Sequence, residues 1–124
     1  MISKKIAIKI LKTYAEAWTE QDISKILSIF HTGGVYHEKI FEKPFHGHKE
    51  IRHYWQKKVV EEQSDIKFKL LNYWIEGNTL IAEWDASFNS NIQKTRIHII
   101  EVAIMEIKGD KIQSLREYWH SEKS

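Results

Sequence analysis

The sequence predicts an α+β fold in which three helices close a strongly curved antiparallel sheet over an internal pocket. Three observations carry that expectation. Apolar residues recur at helical spacing through the first half of the chain. In the second half they alternate with polar residues over long runs, and short glycine-containing turns join those runs. Helices and strands are therefore segregated along the chain instead of alternating as βαβ units.

Taking the elements in order, Ile6, Ile10 and Tyr14, with Ala7, Leu11 and Trp18, share one face of a helix from about residue 3 to 19. Asp22 is placed to cap a second, short helix with the apolar stripe Ile23, Ile26, Leu27 and Phe30, and Gly33-Gly34 is expected to end it. Val35 to Glu38 reads as a short strand. Lys43-Pro44-Phe45 reads as an edge segment, where a residue without an N–H is tolerated. Gly47-His48 leads into a third helix that turns Ile51, Trp55 and Val59 inward, with Tyr54 beside them.

After Ser64 the period changes to two. Ile66, Phe68 and Leu70 alternate with lysines, and Gly77-Asn78 makes a hairpin turn. Leu80, Ala82, Trp84, Ala86 and Phe88 alternate with Glu83, Asp85 and Ser87. Residues 95–107 form another long strand, and Gly109-Asp110 turns into the last, Lys111 to His120. Long strands joined by tight turns imply an antiparallel meander. A sheet of that length twists and curls, and the concave space under it is where a pocket forms.

Composition narrows the function. The 124 residues fit one domain, 1–124, and neither a linker nor a repeat divides them. The net charge is +2, and lysines and arginines are spread among acidic residues, so the basic stripe of a nucleic-acid-binding protein is missing. With no cysteine, disulfides and thiolate metal sites are excluded. No apolar run reaches the ~20 residues of a membrane span. The N-terminal residues begin a helical pattern, not a signal peptide, which makes a cytoplasmic protein the default expectation.

Several segments then carry a resemblance. They are Tyr14-Ala15-Glu16-Ala17-Trp18, Gln21-Asp22-Ile23 at the helix turn, Pro44-Phe45-His46-Gly47 before the third helix, and Ile51 to Trp55 within it. The closing run, Asp110-Lys111-Ile112-Gln113-Ser114-Leu115-Arg116-Glu117-Tyr118-Trp119, is the most telling. In order and spacing the chain resembles the nuclear transport factor 2-like superfamily, and within it the SnoaL-like and ketosteroid-isomerase-like branch. The resemblance covers nearly the whole chain and implies a cone-shaped sheet wrapped around the N-terminal helices. It does not fix a reaction, because that superfamily hosts isomerases, cyclases, dehydratases and transport factors.

Ketosteroid isomerase uses a carboxylate base with an oxyanion hole made of a tyrosine and a protonated acid. Alignment with that pattern puts Tyr14 at the tyrosine position and Glu38 at the base position. The acid position falls on Ala103, with Glu101 two residues earlier on the same strand face. Steroid isomerisation is therefore not assigned. The expected catalytic residues are Glu38 as proton carrier, and Tyr14 with Glu101 as oxyanion stabilisers. Glu101 is otherwise an ion-pair partner of Arg96 or Arg116, or is turned outward by a bulge. Expected ligand contacts are Trp18, Phe30, Trp55, Ala103, Met105 and Trp119.

The histidines of His46-Gly47-His48, with His37, lack the fixed spacing of a metal site, so no metal and no cofactor is expected. The ligand implied is a small apolar, carbonyl-bearing molecule, held by an acid–base enzyme, by a binding protein without catalysis, or in the incidental cavity of a dimerisation domain. Ile100, Val102 and Ile104 oppose Ile99, Ala103 and Met105, so both strand faces are apolar. A homodimer through the outer sheet face is the expected cover.

Overall fold

The computed structural model describes residues 1–124. Three helices come first in space: α1 (Lys4–Thr19), α2 (Ile23–Ser28) and α3 (Gly47–Trp55), the last continuing as a π-helical turn over Gln56–Glu61. The strands are β1 (Phe30–His37), β2 (Phe45–His46), β3 (Gln63–Glu76), β4 (Thr79–Ser90), β5 (Thr95–Lys108) and β6 (Lys111–Lys123). They form one sheet in the order β2-β1-β6-β5-β4-β3.

Local chemistry sets the helix boundaries. Ser3 caps α1 by accepting a hydrogen bond from the Ile6 amide at 3.1 Å, and Asp22 caps α2 by accepting one from the Lys25 amide at 3.1 Å. Between the helices Gln21 adopts a left-handed φ of 56°. From there its side-chain amide donates to the carbonyls of Val59 and Gln63, both at 2.8 Å. Carbonyls at a helix end have no partner within the helix, so Gln21 supplies the missing donors and latches the α1–α2 turn to the end of the π turn.

Three boundaries differ from the sequence reading. The second helix stops at Ser28, and Phe30 opens β1 instead of closing the helix stripe. Gly33 and Gly34 lie inside that strand, where the pairing shifts register between Phe30 and Val35. A Cβ on Gly34 would stand 3.0 Å from the His31 carbonyl oxygen and 3.1 Å from that of Ile112, so strand approach, not helix termination, accounts for this glycine. The last strand runs beyond His120 to Lys123, paired with Ile97, so the C-terminal residues lengthen the sheet. Of the edge segment Lys43-Pro44-Phe45 only Phe45 pairs with β1, together with His46 beyond it.

The sheet is also less uniform than a meander. β3 to β6 are antiparallel neighbours, but β1 lies parallel to β6. In β3, Phe68 packs inward, whereas a bulge between Leu70 and Asn72 leaves Leu70 outside and turns Tyr73 and Ile75 in.

The concave face carries the core. Leu80, Ala82, Trp84, Ala103 and Met105 are fully buried and meet Ala7, Ile10, Leu11 and Tyr14 of α1. The convex face has no helix over it. Ile100 is 38% exposed there, with Val102 and Ile104 partly covered and Tyr118 and Trp74 also exposed. No helix is long and apolar enough to cross a membrane.

Gly34→Ala is expected to lower unfolding stability by about 1–3 kcal/mol, because backbone oxygens cannot yield to the added methyl. Gly33→Ala, with nothing within 4 Å of its Cβ, should be near neutral. Urea unfolding of the two variants checks the contrast, and equal effects would show that the strand approach at Gly34 is not tight.

Candidate active site

One half of the concave face is filled and the other half is open. Toward the Gly109 turn, Ala103 and Met105 are packed under the helices. Toward the other end, Ile97, Ile99 and Glu101 of β5 face a cavity of about 450 Å³. Its opposite walls come from Tyr14 and Trp18 of α1, Tyr54 and Trp55 of α3, and Lys58 and Val59 of the π turn. Tyr36, Glu38, Glu117 and Trp119 complete it. Small side chains, Ser90 and Ser121, help leave the space unfilled.

The sequence candidates divide accordingly. Glu38, Tyr14 and Glu101 all border this cavity, as do Trp18, Trp55 and Trp119. Phe30, Ala103 and Met105 do not. Phe30 is 1% exposed and packs behind Tyr36, with ring centroids 5.7 Å apart, without reaching the cavity itself. Ala103 and Met105 share the strand face of Glu101 but lie where side chains fill the cone completely.

Glu101 is 4% exposed. Neither arginine considered as its partner reaches it. Arg96 pairs with Asp65 at 3.1 Å, and Arg116 lies on the opposite face of the sheet, across from Ile104. The neighbour of Glu101 is instead a second carboxyl, Glu117, which the sequence reading did not single out. Burial first, then the charge of Glu117 and a hydrogen bond to it, hold the Glu101 carboxyl well above the usual range. One of its oxygens, Oε2, has no hydrogen-bond partner.

Glu117 is the centre of the arrangement. Tyr36 donates to its Oε1 at 2.5 Å and Tyr14 donates to the same atom at 3.1 Å; the two hydroxyls are 2.9 Å apart. Burial raises the Glu117 pKa. The bond from Tyr36 pulls it down, the nearby charge of Glu38 raises it, and bonds from Tyr14 and Glu101 pull it down again, leaving it at about 7. The phenols of Tyr14, Tyr36 and Tyr54 are pushed upward, chiefly by burial and next by Glu117, so they stay protonated. Glu101 is thus the proton-holding member of the pair, and Glu117 changes state near neutral pH. Tyr14 reaches the cavity, but its hydroxyl is engaged by Glu117, which departs from the expected free oxyanion donor.

The register explains why Glu117 escaped notice. Around the Gly109 turn Lys108 pairs with Lys111, and a regular ladder from there would place Arg116 opposite Ala103. An irregularity between Glu106 and Ile107 advances β6 by one residue and places Glu117 there instead. The carboxyl missing at Ala103 is supplied directly across the sheet from it. The available signal was alternation back from Trp119, which puts Glu117 two residues earlier on the same face of β6.

Glu38 lies just past the end of β1 at the cavity wall, and its backbone carbonyl accepts a hydrogen bond from Trp119 Nε1 at 3.3 Å. The histidines do not converge. His37 contacts the Glu42 carbonyl oxygen and His48 that of Phe30, and no three potential ligands come together to hold a metal.

The sequence profile of the SnoaL-like domain matches residues 11–115, most of the chain, from within α1 to within β6 and ending two residues before Glu117. The chain belongs to the SnoaL-like domain family. No curated protein matches it in sequence. Solved structures of the ketosteroid-isomerase-like and nuclear transport factor 2-like fold match it in shape. A proposed isomerase from Bacillus subtilis is 16% identical with a TM-score of 0.83, covering 97% of this chain and 90% of that one. The epoxide hydrolase/cyclase-like enzyme SalBIII of pyran ring formation in polyether salinomycin is 18% identical with a TM-score of 0.82, covering 97% and 95%. A proposed SnoaL-like polyketide cyclase from Shewanella denitrificans OS-217 is 14% identical with a TM-score of 0.80, covering 94% and 92%. At these identities the likeness is one of fold, the curved α+β cone already described.

The carboxyl pair makes stability depend on pH. Glu117 titrates at about 7 in the folded protein against an ordinary value of 4.5. Its contribution is therefore fully present below about pH 4.5 and is lost as pH rises through about 7, a change on the order of 3 kcal/mol. Glu117→Gln should flatten the part of the slope centred near pH 7 and exceed the wild type in stability at pH 8, while Glu101 keeps its own dependence at higher pH. Denaturant titrations of both proteins from pH 4 to 8 check this, and parallel curves would show that Glu117 is not buried in a shared-proton pair.

Proposed function

We propose that the chain is an acid–base enzyme acting on a small, largely apolar substrate with a reacting oxygen, such as a carbonyl or a strained ether. The single observation that carries this reading is the pair of buried carboxyls at the cavity wall, one holding a proton while its neighbour titrates near neutrality. Two carboxyls with separated proton affinities supply an acid and a base at once. In this reading protonated Glu101 gives its proton to the substrate oxygen. Glu117, held in place by Tyr14 and Tyr36, takes a proton from carbon or from the attacking hydroxyl. Glu38 lines the same cavity, near enough for its charge to act on both carboxyls, and serves as a second base. Tyr14 acts as a positioning group through Glu117.

The neighbours named above as an isomerase, an epoxide hydrolase/cyclase-like enzyme and a polyketide cyclase support a reaction of this class, since such reactions need one proton delivered and one removed. The aromatic wall suits an apolar frame. No cofactor enters the scheme.

The uncovered convex face favours a second element of the proposal, a homodimer. Ile100, Val102, Ile104 and Tyr118 form a continuous apolar strip over β5 and β6, and a two-fold pairing would bury it against itself.

Wild-type protein offered a panel of small apolar epoxides and unsaturated ketones, with products read by mass spectrometry, should turn over at least one of them. Glu117→Gln and Glu101→Gln should each lower kcat/KM by about 100-fold or more. Turnover unaffected by both substitutions would remove the carboxyl pair from the mechanism. Light scattering at micromolar concentration should give twice the 14.8 kDa chain mass, falling to the monomer in Ile100→Lys. A wild-type monomer would overturn the dimer.

A further inference from the structure

The cavity wall has an unbalanced charge. No lysine, arginine or histidine forms an ion pair with Glu38, Glu101 or Glu117, although the chain has seven such pairs elsewhere. Three lysines border the cavity: Lys39 pairs with Glu42 and Lys58 with Glu62, both at 3.8 Å, and Lys123, at the end of β6, pairs with no carboxylate. Arg116, next to Glu117 in sequence, is on the other side of the sheet.

Buried acceptors need partners, yet Oε2 of Glu101 has none, on a residue that borders the cavity. The hydroxyl donors beside the carboxyl pair are already engaged. Each tyrosine hydroxyl has one proton, and those of Tyr14 and Tyr36 both go to Glu117. The indole N–H of Trp55 is unpartnered, but it is buried and has no surface open to the cavity. Aromatic rings also line the wall, those of Trp18, Tyr54, Trp55 and Trp119 among them. Ring faces carry negative potential and attract cations.

We infer that the cavity selects a small organic cation, an ammonium or quaternary ammonium group on an apolar frame, seated against Glu101 and Glu117 among these aromatic rings. The inference rests on this carboxyl wall being the ligand-facing surface, as in the functional reading above, and not on the wall moving protons. It narrows the substrate to molecules that carry, or develop, positive charge next to the reacting oxygen. An enolate-like intermediate would face like charge here.

Cation binding and proton binding then compete at the pair. The groups facing Glu117 are Tyr14 from α1, Tyr36 from β1, Glu38 beyond it, Tyr54 from α3 and Glu101 from β5. None is cationic, so affinity for a permanent cation should rise with pH through about 7 as Glu117 ionises.

The test uses the full chain and three probes of similar shape: phenyltrimethylammonium, uncharged tert-butylbenzene, and benzoate. Tryptophan fluorescence reports binding, since Trp18, Trp55 and Trp119 border the cavity. At pH 8 the cation should bind about tenfold or more tighter than its neutral isostere, with no measurable benzoate binding. Glu101→Gln/Glu117→Gln should abolish that preference while keeping tert-butylbenzene affinity, which reports an intact cavity. Glu117→Gln alone, the gentler variant, removes the group that ionises near pH 7 and should reduce the preference. Equal or tighter binding of the neutral probe, binding of benzoate, binding of none of the three, or a cation preference that survives the double variant would each overturn the inference. Cation selectivity without turnover of any panel substrate would overturn the catalytic reading alone. Turnover without selectivity would overturn only this one.

Discussion

The carboxylate of Glu117 is where three separate parts of the chain meet. Tyr14 arrives on the first helix, Tyr36 on the parallel strand β1, and Glu117 itself on β6. A carboxylate taken out of water is costly unless hydrogen bonds replace its hydration, and two phenols do so here. That requirement fixes the azimuth of α1 over the sheet and the register of β1 against β6 at the same time. The rings of those tyrosines then form part of a wider aromatic cluster. Tyr14 packs edge-on to Trp55 with centroids 5.9 Å apart and lies 4.9 Å from Trp84, and Tyr36 is 5.7 Å from Phe30. Polar satisfaction at one atom and apolar packing around it are mutually dependent.

The same constraint separates two otherwise similar acids. Glu101 and Glu117 sit on adjacent strands, facing the same cavity, and both are buried. Glu117 has the tyrosine donors and Glu101 has an oxygen without a partner. Hydrogen bonds to the charged form favour it, so the proton resides on Glu101 and the ionisable member is Glu117. Division of labour between acid and base therefore follows from which strand the tyrosines reach, not from the identity of the acidic residues. The filled half of the cone, around Ala103 and Met105, supplies the rigidity that holds this pair in place.

Much of the architecture was legible in the sequence because periodicity is a local signal. The apolar faces of α1 and α3, the alternation in β4 and β5 and the Gly77 and Gly109 turns all come from neighbours within a few residues. Tyr14 and Glu101 stood out as polar groups on apolar faces. What was not legible depended on partners far away. Gly33-Gly34 reads as a helix stop when the tight approach of Ile112 is unknown. Phe30 reads as helix stripe when its strand partner is unknown. Glu117 was hidden by a one-residue slip in β6, which no count of alternation before the bulge reveals. The division of the concave face into filled and open halves is a volume property, and Ala103 and Met105 could not be told from cavity residues by face alone.

The parallel pairing of β1 with β6 has a consequence for how the molecule forms. Phe30 and Tyr36 find their partners, Ile112 and Leu115, on the order of 80 residues along the chain. The hairpins β3–β4, β4–β5 and β5–β6 are each closed by short turns and can assemble without waiting for the first third of the chain. β1 can dock only after the last hairpin exists, at the full entropic expense of closing that long loop. Both tyrosine donors and their shared acceptor come together in that docking step. Until it is complete Glu117 remains hydrated, an ordinary surface acid on an exposed strand edge, so the proton-shared pair is a property of the finished cone and not of any intermediate that precedes it. The barrier to folding and the birth of the site's chemistry would then coincide in one late event.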